Sequence, residues 1–198
     1  MTQARRSRPS MNSFPCTVWF TGLSAAGKTT LAHALAAWLE TRSVMSEVLD
    51  GDVVRQTLCR DLGFSPEDRK ENVRRVAQRC QELNDAGVVA IAALVSPYRA
   101  DREAARRAIG RERFVEVFVS TPLAVCEARD PKGLYAKARA GEITNLTGIG
   151  DVYEIPLDPD LSIDTSAQTT EAAVDAIAIM LDFGGLHSAP RVPESEKR

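Results

Sequence analysis

Residues 22–29 read Gly-Leu-Ser-Ala-Ala-Gly-Lys-Thr, between the apolar, β-branched run Cys16-Thr-Val-Trp-Phe-Thr21 and a stripe of Leu31, Leu35, Trp38 and Leu39 at helical spacing. A buried strand turning through a glycine-bracketed loop into an amphipathic helix restricts the chain to few folds, because the strand end and the helix N-terminus must meet at one point. The stretch fits G-x-x-x-x-G-K-[ST], in which successive backbone N–H groups turn inward around phosphate. Gly22 and Gly27 permit the curl. Gly22, Leu23, Ser24, Ala25, Ala26, Gly27, Lys28, Thr29 and Thr30 are therefore the expected contacts of a nucleoside triphosphate, ATP or GTP. In this pattern Lys28 reaches the β- and γ-phosphates and the Thr29 hydroxyl is placed to ligate Mg²⁺.

Beyond the loop, strand and helix patterns alternate, which is the signature of a doubly wound α/β parallel sheet. Strands are expected at 16–21, 45–50, 88–95, 113–119 and 161–164, giving about five, with helices on both faces at 27–41, 53–60, 65–87, 99–109, 121–127 and 170–182. The third strand, almost unbroken in its apolar residues, reads as central. Residues 130–155, rich in Gly, Lys and Thr with weak periodicity, read as a mobile lid. One domain over 14–183 is expected, with disordered tails at 1–13 and 184–198, where charge and proline replace apolar periodicity.

A net charge of −2 from balanced acids and bases gives no nucleic-acid or anionic-membrane footprint, and Arg74-Arg75 and Arg106-Arg107 read as solvated helix faces. The four cysteines are far apart and only two histidines are present, which argues against a zinc site and for reduced, buried thiols. No apolar run approaches a membrane span. A cytoplasmic enzyme is the expectation.

Four polar clusters fall where the strands should end, the position at which such sheets bind ligands. Asp50-Gly-Asp52 puts two carboxylates beside the phosphate loop, suited to handling Mg²⁺ and to removing a hydroxyl proton, although Asp50 equally suits a helix N-cap. Arg69 and Asn72 share a helix face; with Arg55 and Phe64 they give two guanidiniums around an aromatic that could clamp an anionic ligand bearing a ring, though surface arginines fit the spacing as well. Ser96-Pro-Tyr-Arg99 leaves the central strand, where a serine hydroxyl could bond or transiently accept a phosphoryl group, or simply build a turn. Lys132, in Asp130-Pro-Lys-Gly-Leu-Tyr135, could neutralise a transferring phosphoryl group from the lid, though a solvated lysine fits the spacing as well. The central strand ends in Ser96 rather than the aspartate of motor-type ATPases, which favours a small-molecule kinase.

In combination, Gly-Leu-Ser-x-Ala-Gly-Lys, Leu49-Asp-Gly-Asp-x-x-Arg55, Leu62-Gly-Phe-Ser65, Asp68-Arg-x-x-Asn72, Ser96-Pro-Tyr-Arg99, Lys132-Gly-Leu-Tyr135 and Thr147-Gly-Ile149 closely resemble the adenylylsulfate kinases, in order and spacing, across about residues 14–183. The resemblance implies a P-loop kinase fold and transfer of the γ-phosphate of ATP to the 3′-hydroxyl of adenosine 5′-phosphosulfate (APS), giving 3′-phosphoadenosine 5′-phosphosulfate (PAPS) and ADP. It implies that Asp52 lies nearest the 3′-hydroxyl and the metal, with Lys28 and Ser96 also in the catalytic set, Ser96 at the family's phosphoserine position. Arg55, Arg69 and Asn72 would hold the phosphosulfate and ribose, Phe64 would stack on the adenine, and Lys132 would be the lid lysine. Leu146 and Thr147 would cover the substrate, Arg129 would lie near the ATP base, and Thr29 with Asp50 would hold Mg²⁺. A homodimer is also implied. Two positions depart from the pattern. Ala25 stands where glycine is usual and is tolerable only at negative φ. Leu146 stands where a phenylalanine usually completes an aromatic sandwich. The alternatives are another P-loop kinase acting on a sugar or nucleoside, and a non-catalytic ATP-binding regulator.

Overall fold

Apolar runs buried on both faces pair into short parallel strands, and helices with one apolar face close over each side. The elements run β1 (Thr17–Thr21), α1 (Lys28–Glu40), β2 (Ser46–Asp50), α2 (Gly51–Gln56), α3 (Pro66–Asp85), β3 (Val89–Ala93), α4 (Arg99–Ile109), β4 (Phe114–Val119), α5 (Leu123–Arg129), α6 (Leu134–Arg139), β5 (Leu161–Ile163) and α7 (Thr170–Met180). The structure is a computed structural model and describes residues 15–181. The expected tails at 1–13 and 184–198 lie outside the described residues.

The strands form one parallel sheet in the order β2-β3-β1-β4-β5. Side chains alternate between two cores. Val18 and Phe20 of β1 and Val89 and Ile91 of β3 pack toward Leu31, Leu35 and Leu39 of α1 and Val174 and Ile177 of α7. Trp19, Ala90 and Ala92 face the opposite way, toward Val73, Val76, Ala77 and Cys80 of α3 and Ala105 and Ile109 of α4. All four cysteines are buried and free. No helix among the described residues is long and apolar enough to cross a membrane.

The boundaries differ from expectation for local reasons. α2 begins at Gly51 rather than 53, because Asp50 caps it directly from the end of β2, its side chain accepting from the Asp52 N–H. β3 stops at Ala93 rather than 95, since both neighbouring registers end there, at Asp50 and at Phe20. The lid segment is more structured than its weak periodicity suggested. It contains α6, six residues with one buried side chain, Tyr135, too short to leave a periodic trace. The Tyr135 hydroxyl donates to the Ser24 carbonyl at 3.0 Å, which seats the start of the lid on the loop between β1 and α1.

Asn84, near the end of α3, joins helix to sheet. Its Nδ2 donates to the carbonyls of Cys16 (2.9 Å) and Val88 (3.0 Å), and its Oδ1 accepts from Thr17 Oγ1 at 2.8 Å. The residue is 2% exposed, so its loss removes three hydrogen bonds, of whose partners the Cys16 carbonyl keeps the Ala90 N–H. Asn84→Ala is expected to destabilise the fold by about 2–4 kcal/mol. Thermal unfolding should show this as a Tm lower by roughly 5–10 °C.

Candidate active site

β1 is the middle strand of the five, with β3, interior but not the middle strand, on one side and β4 on the other, so chain direction across the sheet reverses at its carboxyl end and a crevice opens there. The glycine-bracketed loop fills that point and leads into α1. Gly22 has φ 152°, and a Cβ there would stand 2.6 Å from the Val119 carbonyl oxygen. Gly27 has φ 104° and passes against Thr165. The crevice continues into a cavity of about 1050 Å³.

The cavity has two halves. Ser24, Ala25, Gly27, Lys28, Thr29, Thr30, Arg129 and Thr165 line the end at the loop; Arg55, Phe64, Arg69, Asn72, Ser96, Leu146 and Thr147 line the other. Asp50, Asp52 and Lys132 also line it. Every site residue expected from the sequence is brought to this cavity except Gly22, Leu23 and Ala26, which are packed beneath the loop. The Leu23 side chain lies against the site of Gly148, and Ala26 is fully buried.

Lys28 is buried, and its Nζ donates to the Leu23 carbonyl at 2.6 Å. Burial pushes its ammonium down to about 8, opposed by the nearby carboxylates of Asp50 and Asp52. Thr29 Oγ1 donates to Asp50 Oδ2 at 2.6 Å, while Asp50 Oδ1 caps α2. Asp50 is therefore the helix N-cap that its position allowed, and its second oxygen is held by Thr29. Thr29 and Asp50 offer hard oxygen donors side by side, a set that suits Mg²⁺, which completes its sphere with phosphate oxygens and water. Among the described residues no group of three or more His, Cys, Asp or Glu side chains could hold a metal unaided. Asp52, on the first turn of α2, pairs with Lys132 Nζ from the segment between α5 and α6.

The guanidinium–aromatic cluster forms as its spacing suggested. The Arg55 guanidinium carbon lies 4.2 Å from the Phe64 ring centroid and that of Arg69 lies 5.9 Å away. Asn72, 6% exposed, keeps its Nδ2 without a hydrogen-bond partner at the cavity wall. Arg69 does more than expected. It donates to the Phe64 carbonyl (3.0 Å), Thr147 Oγ1 (3.0 Å) and the Asn145 carbonyl (2.8 Å), and lies 3.5 Å from Asp151, binding α3 to the lid.

Three expectations are corrected. Ala25 was tolerable only at negative φ, yet it stands at φ 58°, a left-handed conformation that costs a non-glycine residue about 1 kcal/mol. It is held there by the loop, and Arg129 reaches its carbonyl at 3.4 Å. Ser96 does not present a free hydroxyl. At φ 39° and 4% exposed, its Oγ accepts from Trp19 Nε1 (3.1 Å) and donates to Thr21 Oγ1 (2.9 Å), so it is not poised to accept a phosphoryl group. Arg106 is not solvated but pairs with Glu116 and Asp160 at 16% side-chain exposure. The sequence reading also passed over Thr165, whose Oγ1 donates to the Ala26 carbonyl at 2.8 Å and receives Arg129 Nη1 at 2.7 Å. Its only signal was its place after the last strand.

A triphosphate subsite joined to a cationic, aromatic-bearing subsite across two carboxylates is arranged for phosphoryl transfer between two ligands. Comparison with known proteins agrees. The adenylylsulphate kinase family profile matches residues 14–164. The adenylyl-sulfate kinase of Pseudomonas entomophila is 53% identical over 175 residues, 88% of this chain and 84% of that one. A solved structure of the Mycobacterium tuberculosis APS kinase CysC with AMPPNP and APS superposes with TM-score 0.82 at 42% identity, over 85% of this chain and 98% of that one. A hexameric APS kinase from Thiobacillus denitrificans aligns at TM-score 0.66 and 37% identity, over 91% of this chain and 31% of that one.

The lowered Lys28 predicts a pH dependence. Bound triphosphate favours the ammonium, so above pH 8 binding must draw in a proton that the free protein has lost. Affinity for a non-hydrolysable ATP analogue should be flat well below pH 8 and fall above it by up to about tenfold per pH unit. Lys28→Arg, charged throughout, should lack this inflection. Calorimetric titration across pH 6.5–9.5 measures both.

Proposed function

The chain belongs to the adenylylsulphate kinase family, and we propose that it transfers the γ-phosphoryl group of ATP to the 3′-hydroxyl of adenosine 5′-phosphosulfate, giving PAPS and ADP. The observation that carries the acceptor is the Arg55–Phe64–Arg69 cluster, with the Asn72 amide beside it, opposite the phosphate loop in one cavity. A neutral sugar needs no such cationic, aromatic surface, which disfavours a sugar kinase. Carboxylates beside the loop disfavour a regulator that only binds nucleotide.

In this reading the N–H groups of the loop and helix start that line the cavity, at residues 24, 25 and 27–30, and the Lys28 ammonium hold the triphosphate, and Arg129 lies toward the ATP base. Arg55, Arg69 and Asn72 hold the phosphosulfate and ribose of the acceptor. Phe64 stacks on its adenine, Leu146 and Thr147 cover it from the lid, and Ser96 builds the wall behind it. The 3′-oxygen attacks the γ-phosphorus in line while the bond to the ADP oxygen breaks. The 3′-hydroxyl proton passes to Asp52. Lys132 balances charge, first on Asp52 and then on the moving phosphoryl group. Thr29 and Asp50 would hold Mg²⁺, which supplies charge neutralisation on the phosphates. We further propose a cytoplasmic homodimer, on family resemblance.

Incubating the purified protein with ATP, Mg²⁺ and APS should yield PAPS, whereas a panel of sugars and nucleosides should not be phosphorylated. Turnover of one of those acceptors alone overturns the reading, as does nucleotide binding with no turnover. Asp52→Asn should lower kcat by about 10²–10⁴-fold while ATP still binds. Near-full activity would move the proton acceptor to Asp50 or elsewhere.

Leu146 supplies apolar cover but no ring. Leu146→Phe should tighten APS binding by about 1–2 kcal/mol through stacking and leave ATP affinity nearly unchanged. An unchanged APS Kd would assign Leu146 to packing within its own loop, where its carbonyl already accepts from the N–H groups of Ile149, Gly150 and Asp151.

A further inference from the structure

Outside the cavity, behind the wall built by Ser96 and Pro97, lies a buried arginine that no motif singled out. Arg102 of α4 has a side chain 3% exposed and sends each nitrogen to a different part of the chain. Nε donates to Glu116 Oε1 of β4 at 2.7 Å, Nη1 to the Ser96 carbonyl at 2.7 Å, and Nη2 to the Glu154 carbonyl at 2.7 Å. Arg106 holds the other oxygen of Glu116 at 3.3 Å, which fixes the carboxylate that aims Arg102.

The strap leaving the lid, residues 153–155, is laced to the same turn. Glu154 N donates to the Pro97 carbonyl at 2.9 Å, and Arg99 Nε donates to the Ile155 carbonyl at 2.7 Å. α4 has no cap from its own N-cap residue, Tyr98; the Glu154 carboxylate accepts from the Arg99 N–H at 2.7 Å instead. Tyr153 reaches Thr21 Oγ1 at 2.9 Å and stacks on Phe118. Ser96 lies at the centre of these contacts at φ 39°, a conformation that persists only where surrounding groups over-determine it. Both its carbonyl and its hydroxyl are held from behind, while the residue borders the cavity in front.

We propose that Arg102 is a positioning residue: with Glu154 it clamps the exit strap of the lid to the turn carrying Ser96, and so sets the wall against which the acceptor nucleotide is held. The strap is then the fixed end of the lid, and residues 145–147 approach the acceptor from an anchored base. The acceptor half of this proposal rests on the reading of APS as substrate; the clamp itself does not.

Arg102→Lys keeps a charge opposite Glu116 but loses the planar fork that reaches two carbonyls at once. It should raise KM for APS by about tenfold, the loss of one charge-assisted hydrogen bond, and leave KM for ATP unchanged. In the protein without substrates, amide exchange at 153–155 should quicken by about tenfold or more, while exchange at the core of β1 stays as in the wild type. Glu154→Ala, which removes only the cap, should show the same pattern in weaker form; Glu154→Gln, whose amide oxygen still accepts from Arg99, should restore wild-type values. Unchanged exchange at 153–155 in Arg102→Lys overturns the clamp. A KM that rises equally for both nucleotides, together with faster exchange at β1, overturns the positioning role in favour of a structural one. Should the wild type make no PAPS, the acceptor reading fails by that assay, and exchange still decides the clamp.

Discussion

The pairing of β1 with β3 on one side and β4 on the other decides where everything else in this chain goes. A parallel sheet whose order reverses at its central strand leaves one crevice, and the loop after that strand has to cross it against Val119 and Thr165. Glycine at 22 and 27 lets the backbone pass; the N–H groups thereby gathered face whatever anion occupies the crevice. The ends of β2 and β3 deliver Asp50 and the Ser96 turn to its two sides. The polar side chains described above are concentrated there because the topology opens the sheet at that point.

The phosphate loop, the five strands, both helix layers and about half of the cavity lining were legible because each is encoded over a few neighbouring residues. Asp50 caps α2 two residues away, and Arg69 and Asn72 share one helical turn. Illegible features join residues far apart. Arg69 meets Asn145 and Thr147 across more than seventy residues, and Arg129 meets Thr165 across 36. Nothing local distinguishes an arginine that will be buried on carbonyls from one bound for solvent, which is why Arg106 read as surface and Arg102 did not register. Backbone strain is equally silent. Alanine at 25 and serine at 96 give no sign of a left-handed φ, which the tertiary contacts impose on them.

Arg69 shows how closely the two halves of the cavity are joined. Its guanidinium serves Phe64, the lid and the cavity wall together, so the lid and the Phe64 side of the cavity share one group of donors. The Asp52–Lys132 pair does the same at the mouth of the crevice, tying a residue on α2 to the segment before α6.

The cap on α4 has a bearing on how the chain comes together. The first N–H group of this helix is satisfied by a carboxylate 55 residues further along, whereas α3 and α7 carry caps of their own in Ser65 and Thr169. As the chain emerges from the ribosome, those two helices hold their own starting points, but α4 gains its cap only once the lid and strap have been made. Its N-terminus is thus a late, long-range element of the folding order, formed by the same closure that sets the Ser96 wall.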